Sequence, residues 1–433
     1  MGMKIALTTL GSLGDVNPML GLALELRDRG HEVSLSTSRY FRPHIEKHSI
    51  RFHEVLPNLD PNNKEIIHTV LDPKRGPERF HREIIFPDVE KSYRTFLEVA
   101  QDADLIISGI LSYFAPLCAK KLNKPWAAVM LSPMTFWSIY DPPVIPTMEF
   151  IKYAYRVGPD FNRFLFREIF RVSNEWTKQV QELRRQESID DQSNPLTDGA
   201  TSEYLNIGLY SPLLGSVQQD FPPNSRLTGF VFFDHNLTHQ ELSPGLKHFL
   251  ESGEPPVVFT LGSNSVMKHS SLFDLFYEVA QKLNSRSVIL TGASNFRKYK
   301  RLSNDKIFFD DYAPYSGLFP YASCVVHQGG IGTTGQAMRS GTPMLILPEC
   351  NDQHDNLERT KRLGIATGIP MKRVNRYRLR KAIEKLLTVS NYKDKAAQVG
   401  NAIQRENGLK DAADEVEKLL HRTQANSQQR IRY

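Results

Sequence analysis

Cysteine is scarce in this chain: Cys118, Cys324 and Cys350 are the three among 433 residues. They are far apart, odd in number and without metal-ligand spacing, which argues against a disulfide scaffold and fits core thiols in a reducing cytoplasm. No apolar run approaches the roughly 20 residues that a membrane-spanning helix needs. The opening MGMKIALTTL enters a strand directly, with no cleavable signal pattern, so a cytoplasmic protein is expected. A hydrophobic share of 40% with 24% charged residues is ordinary for a globular chain. The formal charge of +6 is compatible with nucleic acid, an anionic membrane surface or an anionic small molecule as partner. Because the basic residues are spread along the chain rather than gathered with aromatics, nucleic acid is not expected.

The length exceeds one comfortable core and suits two domains. Lys4 to Leu10 alternate as a strand, the loop Gly11-Ser12-Leu13-Gly14-Asp15 follows, and Met19, Leu22, Ala23 and Leu26 recur at helical spacing up to Gly30. The spacing predicts a helix opened by Pro18 with Asn17 as its cap, then a strand over 32–37. This is a βαβ unit, and its first loop sits where open parallel sheets bind ligands. Leu105 to Ser108 and Trp126 to Leu131 are further apolar strands. Phe161, Phe164, Leu165, Ile169 and Val172 share one face of a predicted helix whose Arg163, Arg167 and Arg171 line another. Residues 234–256, rich in Pro, Gly, Ser and His, are expected to be a hinge. Beyond them strands at 257–261, 288–290, 307–309, 323–327 and 344–347 alternate with helices, implying a second parallel sheet.

The most informative stretch is SCVVHQGGIGTTGQAMRSGTPMLILPECNDQ, residues 323–353. A buried strand ends at His327 and meets Gly329, Gly330 and Gly332 at the start of a helix, whose first amides lack internal partners and attract anions. Thr333 and Thr334 add hydroxyls, and the next strand delivers Glu349, Asp352 and Gln353 to the same rim. Gly330, Gly332 and Gly335 also spell G-x-G-x-x-G, which leaves a dinucleotide site open. Elsewhere, Asp102-Ala103-Asp104 precedes a strand and reads as its solvated start rather than a metal motif. His31, His44, His48 and His53 fit no zinc spacing and read as surface histidines.

His327 before the glycines, with Asp352-Gln353 after the second strand, resembles the donor signature H-x-G-G-x-G-T-T then D-Q of UDP-glycosyltransferases and sterol glucosyltransferases. The first loop resembles their G-S-x-G-D-x-x-P. SPMTFWSIYDPPVIP (132–146) and TGFVFFD (228–234) resemble the rhamnosyltransferase B chain of rhamnolipid synthesis. The resemblance implies an α/β protein of the GT-B class, two facing Rossmann-like parallel-sheet domains with a cleft between them. The acceptor domain would cover 1–235, joined by a returning helix near 409–425, and the nucleotide-sugar domain 236–408.

It further implies an inverting, metal-independent glycosyltransferase that moves a hexose from a UDP- or dTDP-sugar to a lipophilic hydroxylated acceptor and needs no cofactor. Asp15 would be the catalytic base. Ser12, Gly14, Ser263, Tyr312, Ala313, His327, Gly330, Gly332, Thr333 and Thr334 would bind the nucleotide and diphosphate, with Tyr312 stacking on the base, and Asp352 and Gln353 would hold the sugar. Two departures stand out: Tyr315 where many relatives have Gln or His, and Gly335 where plant and animal members have a ribose-binding Glu. A nucleotide-sugar epimerase and a non-catalytic nucleotide-sugar binder are the alternatives. The helix with the arginine face over 163–171 is expected to pack on its own domain, with a wall of the acceptor groove or peripheral contact with anionic membrane at the inner face as the alternatives.

Overall fold

A computed structural model describes residues 2–60, 63, 65–66, 69, 72, 75–148, 151–233, 241–261 and 270–431, the side chains of 147, 151, 154 and 426–431 excepted. The chain divides into two compact units, the first Met1–Pro143, Phe150–Val231 and Asn407–Tyr433, the second Val144–Glu149 and Phe232–Glu406.

In the first unit β1 (Lys4–Thr8), β2 (Glu32–Thr37), β3 (Arg51–Glu54), β4 (Leu105–Gly109), β5 (Trp126–Met130), β6 (Leu205–Gly208) and β7 (Ser225–Leu227) form one sheet in the order β3-β2-β1-β4-β5-β6-β7. Every pairing is parallel. The inner strands β4 and β5 are buried along their whole length, as strands covered on both faces must be. The helix α1 (Leu13–Asp28) closes the first crossover, burying Val16, Met19, Leu20, Leu22, Ala23 and Leu26. Strand order reverses between β1 and β4, so the loop after β1 lies at a switch point of the topology.

The second unit repeats the plan with β8 (Val257–Phe259), β9 (Ser287–Leu290), β10 (Ile307–Asp310), β11 (Cys324–His327), β12 (Met344–Ile346) and β13 (Ala366–Gly368), again all parallel, in the order β10-β9-β8-β11-β12-β13. Its switch point falls between β8 and β11. Val257, Phe259, Ile289, Phe309, Val326 and Leu345 form the middle of its core.

Several expectations change. The first helix begins at Leu13, not Pro18, and its cap is Ser12, not Asn17. Ser12 can accept from the Gly14 amide and exchange bonds with Asp15, whereas Asn17 points its Oδ1 at His44 Nε2, 2.9 Å away. Pro18 stands inside the helix. His44 is therefore a buried histidine rather than a surface one. Desolvation, with His48 and Lys47 nearby, lowers its pKa to about 4.

The amphipathic helix, α2 (Pro159–Asn174), buries Phe166 in place of the predicted face. Phe166 and Phe170 meet Trp137 edge-on, while Phe161, Phe164 and Val172 are exposed. Within 234–256, residues 234–240 are outside the described set. Residues 244–251 form a helix, α3 (Pro244–Glu251), because Ser243 caps it by accepting from the Leu246 amide. The three cysteines are buried.

Candidate functional site: two glycine loops at two switch points

At the end of β1 the chain turns through Gly11, whose φ of +134° is one that L side chains rarely adopt. A Cβ there would also lie 2.2 Å from Asp15 Oδ2, so glycine makes room for that carboxylate. Ser12 donates to Oδ2 twice, through its backbone N–H at 2.8 Å and its hydroxyl at 3.1 Å. The result is a capping box, with Asp15 at the third position of α1. Burial pushes the Asp15 carboxyl up to about 6 against the opposing pull of the Ser12 bonds. A carboxyl in that range is largely ionised at neutral pH yet basic enough to take a proton, as a general base requires. Asp15 thus takes part in the cap that was expected of Asn17. Gly14 is exposed beside it.

At the end of β11, His327 is fully buried. Its Nδ1 accepts from the Gly329 N–H at 3.1 Å. Gly329 has φ +95°, and a Cβ on it would strike Ile346 at 2.6 Å, so no other residue fits. Burial lowers the imidazole pKa to about 3, leaving it neutral. With Nδ1 accepting, the ring proton sits on Nε2. That atom is buried with no partner among the described residues. A donor in this state costs about 1–3 kcal/mol and calls for an acceptor.

Gly330 caps the helix that follows, α4 (Ile331–Arg339), with no side-chain capping bond. The Thr334 amide bonds Gly330 C=O at 2.9 Å, so the amides of Ile331, Gly332 and Thr333 are the ones left open. A Cβ on Gly332 would meet nothing within 4 Å, so the helix start is open at that position. The two threonines differ from expectation. Thr334 donates its hydroxyl to Gly330 C=O at 2.9 Å and cannot give that proton to a phosphate. Thr333 approaches Tyr315, whose hydroxyl lies 2.9 Å from Thr260 Oγ1 and whose ring stacks on Phe319.

Beyond β12, Asp352 precedes the helix α5 (Gln353–Arg362). Gln353 is buried, and its Oε1 accepts from the amides of Glu349 and Cys350 at 2.8 and 3.2 Å. It thereby shapes the loop, and its amide nitrogen is the group left to meet a ligand. Tyr312, half-buried, and Ala313, buried, follow β10 at the same end of the sheet. Ser263 lies outside the described residues. Sequence reasoning missed Asn356, which is fully buried between Gly329 and Asp352. Its spacing of four from Asp352 on a helix was the available signal.

Solved structures match the fold over nearly the whole chain. The calicheamicin glycosyltransferase CalG4 superposes with a TM-score of 0.74 over 97% of this chain and 99% of its own at 17% identity. The glycosyltransferase VinC, solved with dTDP, matches at 0.66 over 97% and 100% at 18% identity. Two parallel-sheet Rossmann-like units of this kind define the GT-B class. The family model of the glycosyltransferase family 28 N-terminal domain matches residues 5–108, and that of the erythromycin biosynthesis protein CIII-like C-terminal domain matches 280–419. The O-mycaminosyltylonolide 6-deoxyallosyltransferase of Streptomyces fradiae is 28% identical over 95% of this chain and 96% of that protein. The sterol 3-beta-glucosyltransferase of Pichia angusta is 26% identical over 95% of this chain, which spans 33% of that longer protein. The chain has the GT-B fold, is similar to these glycosyltransferases in both units, and is a glycosyltransferase.

Proposed function

We propose that this enzyme transfers a hexose from a UDP- or dTDP-sugar to a hydroxyl of a lipophilic acceptor, inverting the anomeric centre and using no metal. The observation that carries the reading is the buried, unpartnered Nε2–H of neutral His327 beside the open amides of Ile331, Gly332 and Thr333. Such donors favour a diphosphate and, more strongly, the extra charge it gains on leaving. Asp352 and Gln353 would hold sugar hydroxyls, Tyr312 and Ala313 the base. Asp15 takes the acceptor's proton as its oxygen attacks the anomeric carbon from the face opposite the diphosphate. One C–O bond forms, one C–O bond to the diphosphate breaks, and the pair stays with the phosphate oxygen. The names of the relatives, a sterol 3-beta-glucosyltransferase and an O-mycaminosyltylonolide 6-deoxyallosyltransferase, support a lipophilic acceptor.

A panel of UDP- and dTDP-sugars tested for protection against thermal unfolding identifies the donor, since ligand at a hundred times its dissociation constant stabilises by about 2.7 kcal/mol. Nucleoside diphosphate release should then begin only when a hydroxylated lipid is added, and should persist in EDTA. Donor conversion without acceptor would establish an epimerase instead. Loss of activity in EDTA with rescue by Mg²⁺ would overturn the metal-free step.

Among the described residues no helix is long and apolar enough to cross a membrane. The exposed Phe161, Phe164 and Val172 on α2, with Arg163, Arg167 and Arg171 beside them, support peripheral contact with an anionic lipid surface.

A further inference from the structure

Asn356 sits on the first turn of α5 with its side chain wholly out of solvent. Its Nδ2 donates to Gly329 C=O at 2.9 Å and to Asp352 Oδ2 at 2.8 Å, so one amide group spends both hydrogens on two different loops. Gly329 is the residue whose N–H donates to His327 Nδ1. A continuous line of hydrogen bonds therefore runs from the His327 ring through the Gly329 peptide and the Asn356 amide to the Asp352 carboxylate. No side chain can replace Gly329, because its φ is +95° and a Cβ there would lie 2.6 Å from Ile346. Both partners of the amide are acceptors, so a carboxylate of the same shape at 356 would repel both, and an apolar isostere would hold neither.

We propose that Asn356 is a positioning residue that keeps Asp352, the proposed sugar-holding carboxylate, in register with the glycine loop that receives the diphosphate. This rests on the donor-site reading above. The amide contributes little to holding a nucleoside diphosphate, which meets His327 and the amides of α4. It contributes to the added affinity that the sugar brings, and to the placement of the anomeric carbon for attack.

The test compares dissociation constants for UDP and UDP-glucose, and for dTDP and dTDP-glucose, in the wild type and in Asn356→Leu, Asp352→Asn and the double variant. Expected is a loss of about tenfold for the nucleotide sugar in Asn356→Leu, against less than about threefold for the nucleoside diphosphate. The double variant should bind the sugar nucleotide no worse than Asp352→Asn alone, because both changes cut one link. Equal losses for both ligands, or effects that add, would reduce Asn356 to a structural role and overturn the inference. If Asn356→Leu melts early, Asn356→Asp, which keeps the volume, is read in the same cycle against the same expectations. Absence of binding of all four ligands by the wild type would overturn the donor-site reading itself, and the inference with it.

Discussion

The loops after β1 and β11 are built alike and charged oppositely. Each leaves a parallel strand at a topological switch point, turns through a glycine with positive φ, Gly11 or Gly329, and opens a helix. At the first, the helix start is filled by the protein's own anion, Asp15 at the third helical position. At the second, the corresponding position is Thr333, and the helix start is left open beside a neutral donor. A helix end that carries its own carboxylate has little left for a foreign anion, whereas an open one is an anion site. On the function proposed above, one strand-loop-helix device would furnish a base in one unit and a diphosphate cradle in the other.

The largest test of this contrast is Asp15→Asn, which keeps the shape and removes the basicity. Turnover should fall by about a hundredfold or more with donor affinity unchanged. In the wild type kcat/KM should rise with pH through about 6 and then level, since the base must be ionised. The sign for stability is the reverse. A carboxyl whose folded pKa is raised to about 6 from 3.8 binds more protons folded than unfolded, so its contribution weakens as pH climbs through that window. The Asn variant should lose this dependence, which urea titrations at pH 4 and 7 would show. A variant with near-normal turnover would make Asp15 a cap alone.

Thr333→Asp copies the first loop into the second. It should stabilise the free protein by about 0.3–1 kcal/mol through the helix dipole while weakening donor binding by well over tenfold. Tighter donor binding in calorimetry would refute the cradle. His327→Ala comes next: loss of one donor to a charged phosphate should raise the donor's dissociation constant by about tenfold or more. Because the ring titrates near 3, it gives donor affinity no pH step between 5 and 8. The smallest effect concerns α2, where each exposed arginine adds about 1 kcal/mol at an anionic surface and is screened by salt. Sedimentation with anionic but not neutral vesicles at low salt is expected, and equal sedimentation with both would make the helix purely structural.

Both sheets were legible in the sequence because buried parallel strands are near-continuous apolar runs. Glu32–Thr37 is one strand as read, and 105–108 and 126–131 shift by a residue at one end. Strands β3, β6, β7 and β13 were not read, being three or four residues long with polar members such as the RFHE of β3. The signature residues His327, Gly330, Gly332 and Asp352 could be read as a site because glycines and a histidine in that order have few other uses. Which hydroxyl donates where could not be read. Thr334 looks like a phosphate donor until its carbonyl partner is seen, and Ser12, Asn17 and Asp15 are all reasonable capping residues until one of them takes the position. The run SPGLKHFLE has the composition of a linker, yet Ser243 and Pro244 are also a helix start, and the helix wins.

The helix α6 (Gly408–Ile431) belongs to the first unit, where Arg29 at the C-terminal end of α1 pairs with Asp414 and Glu417, and Gly408 lies so close to the carbonyls of Gly229 and Phe230 that no side chain fits. During synthesis at about 5–20 residues per second, domains ordinarily fold as they emerge, N-terminal first. Here the first unit to be started cannot be finished until the whole second unit has been translated and residues from 407 onward follow it. For that interval the flank of α1 that α6 will cover stays open, and the second unit is the first to be complete.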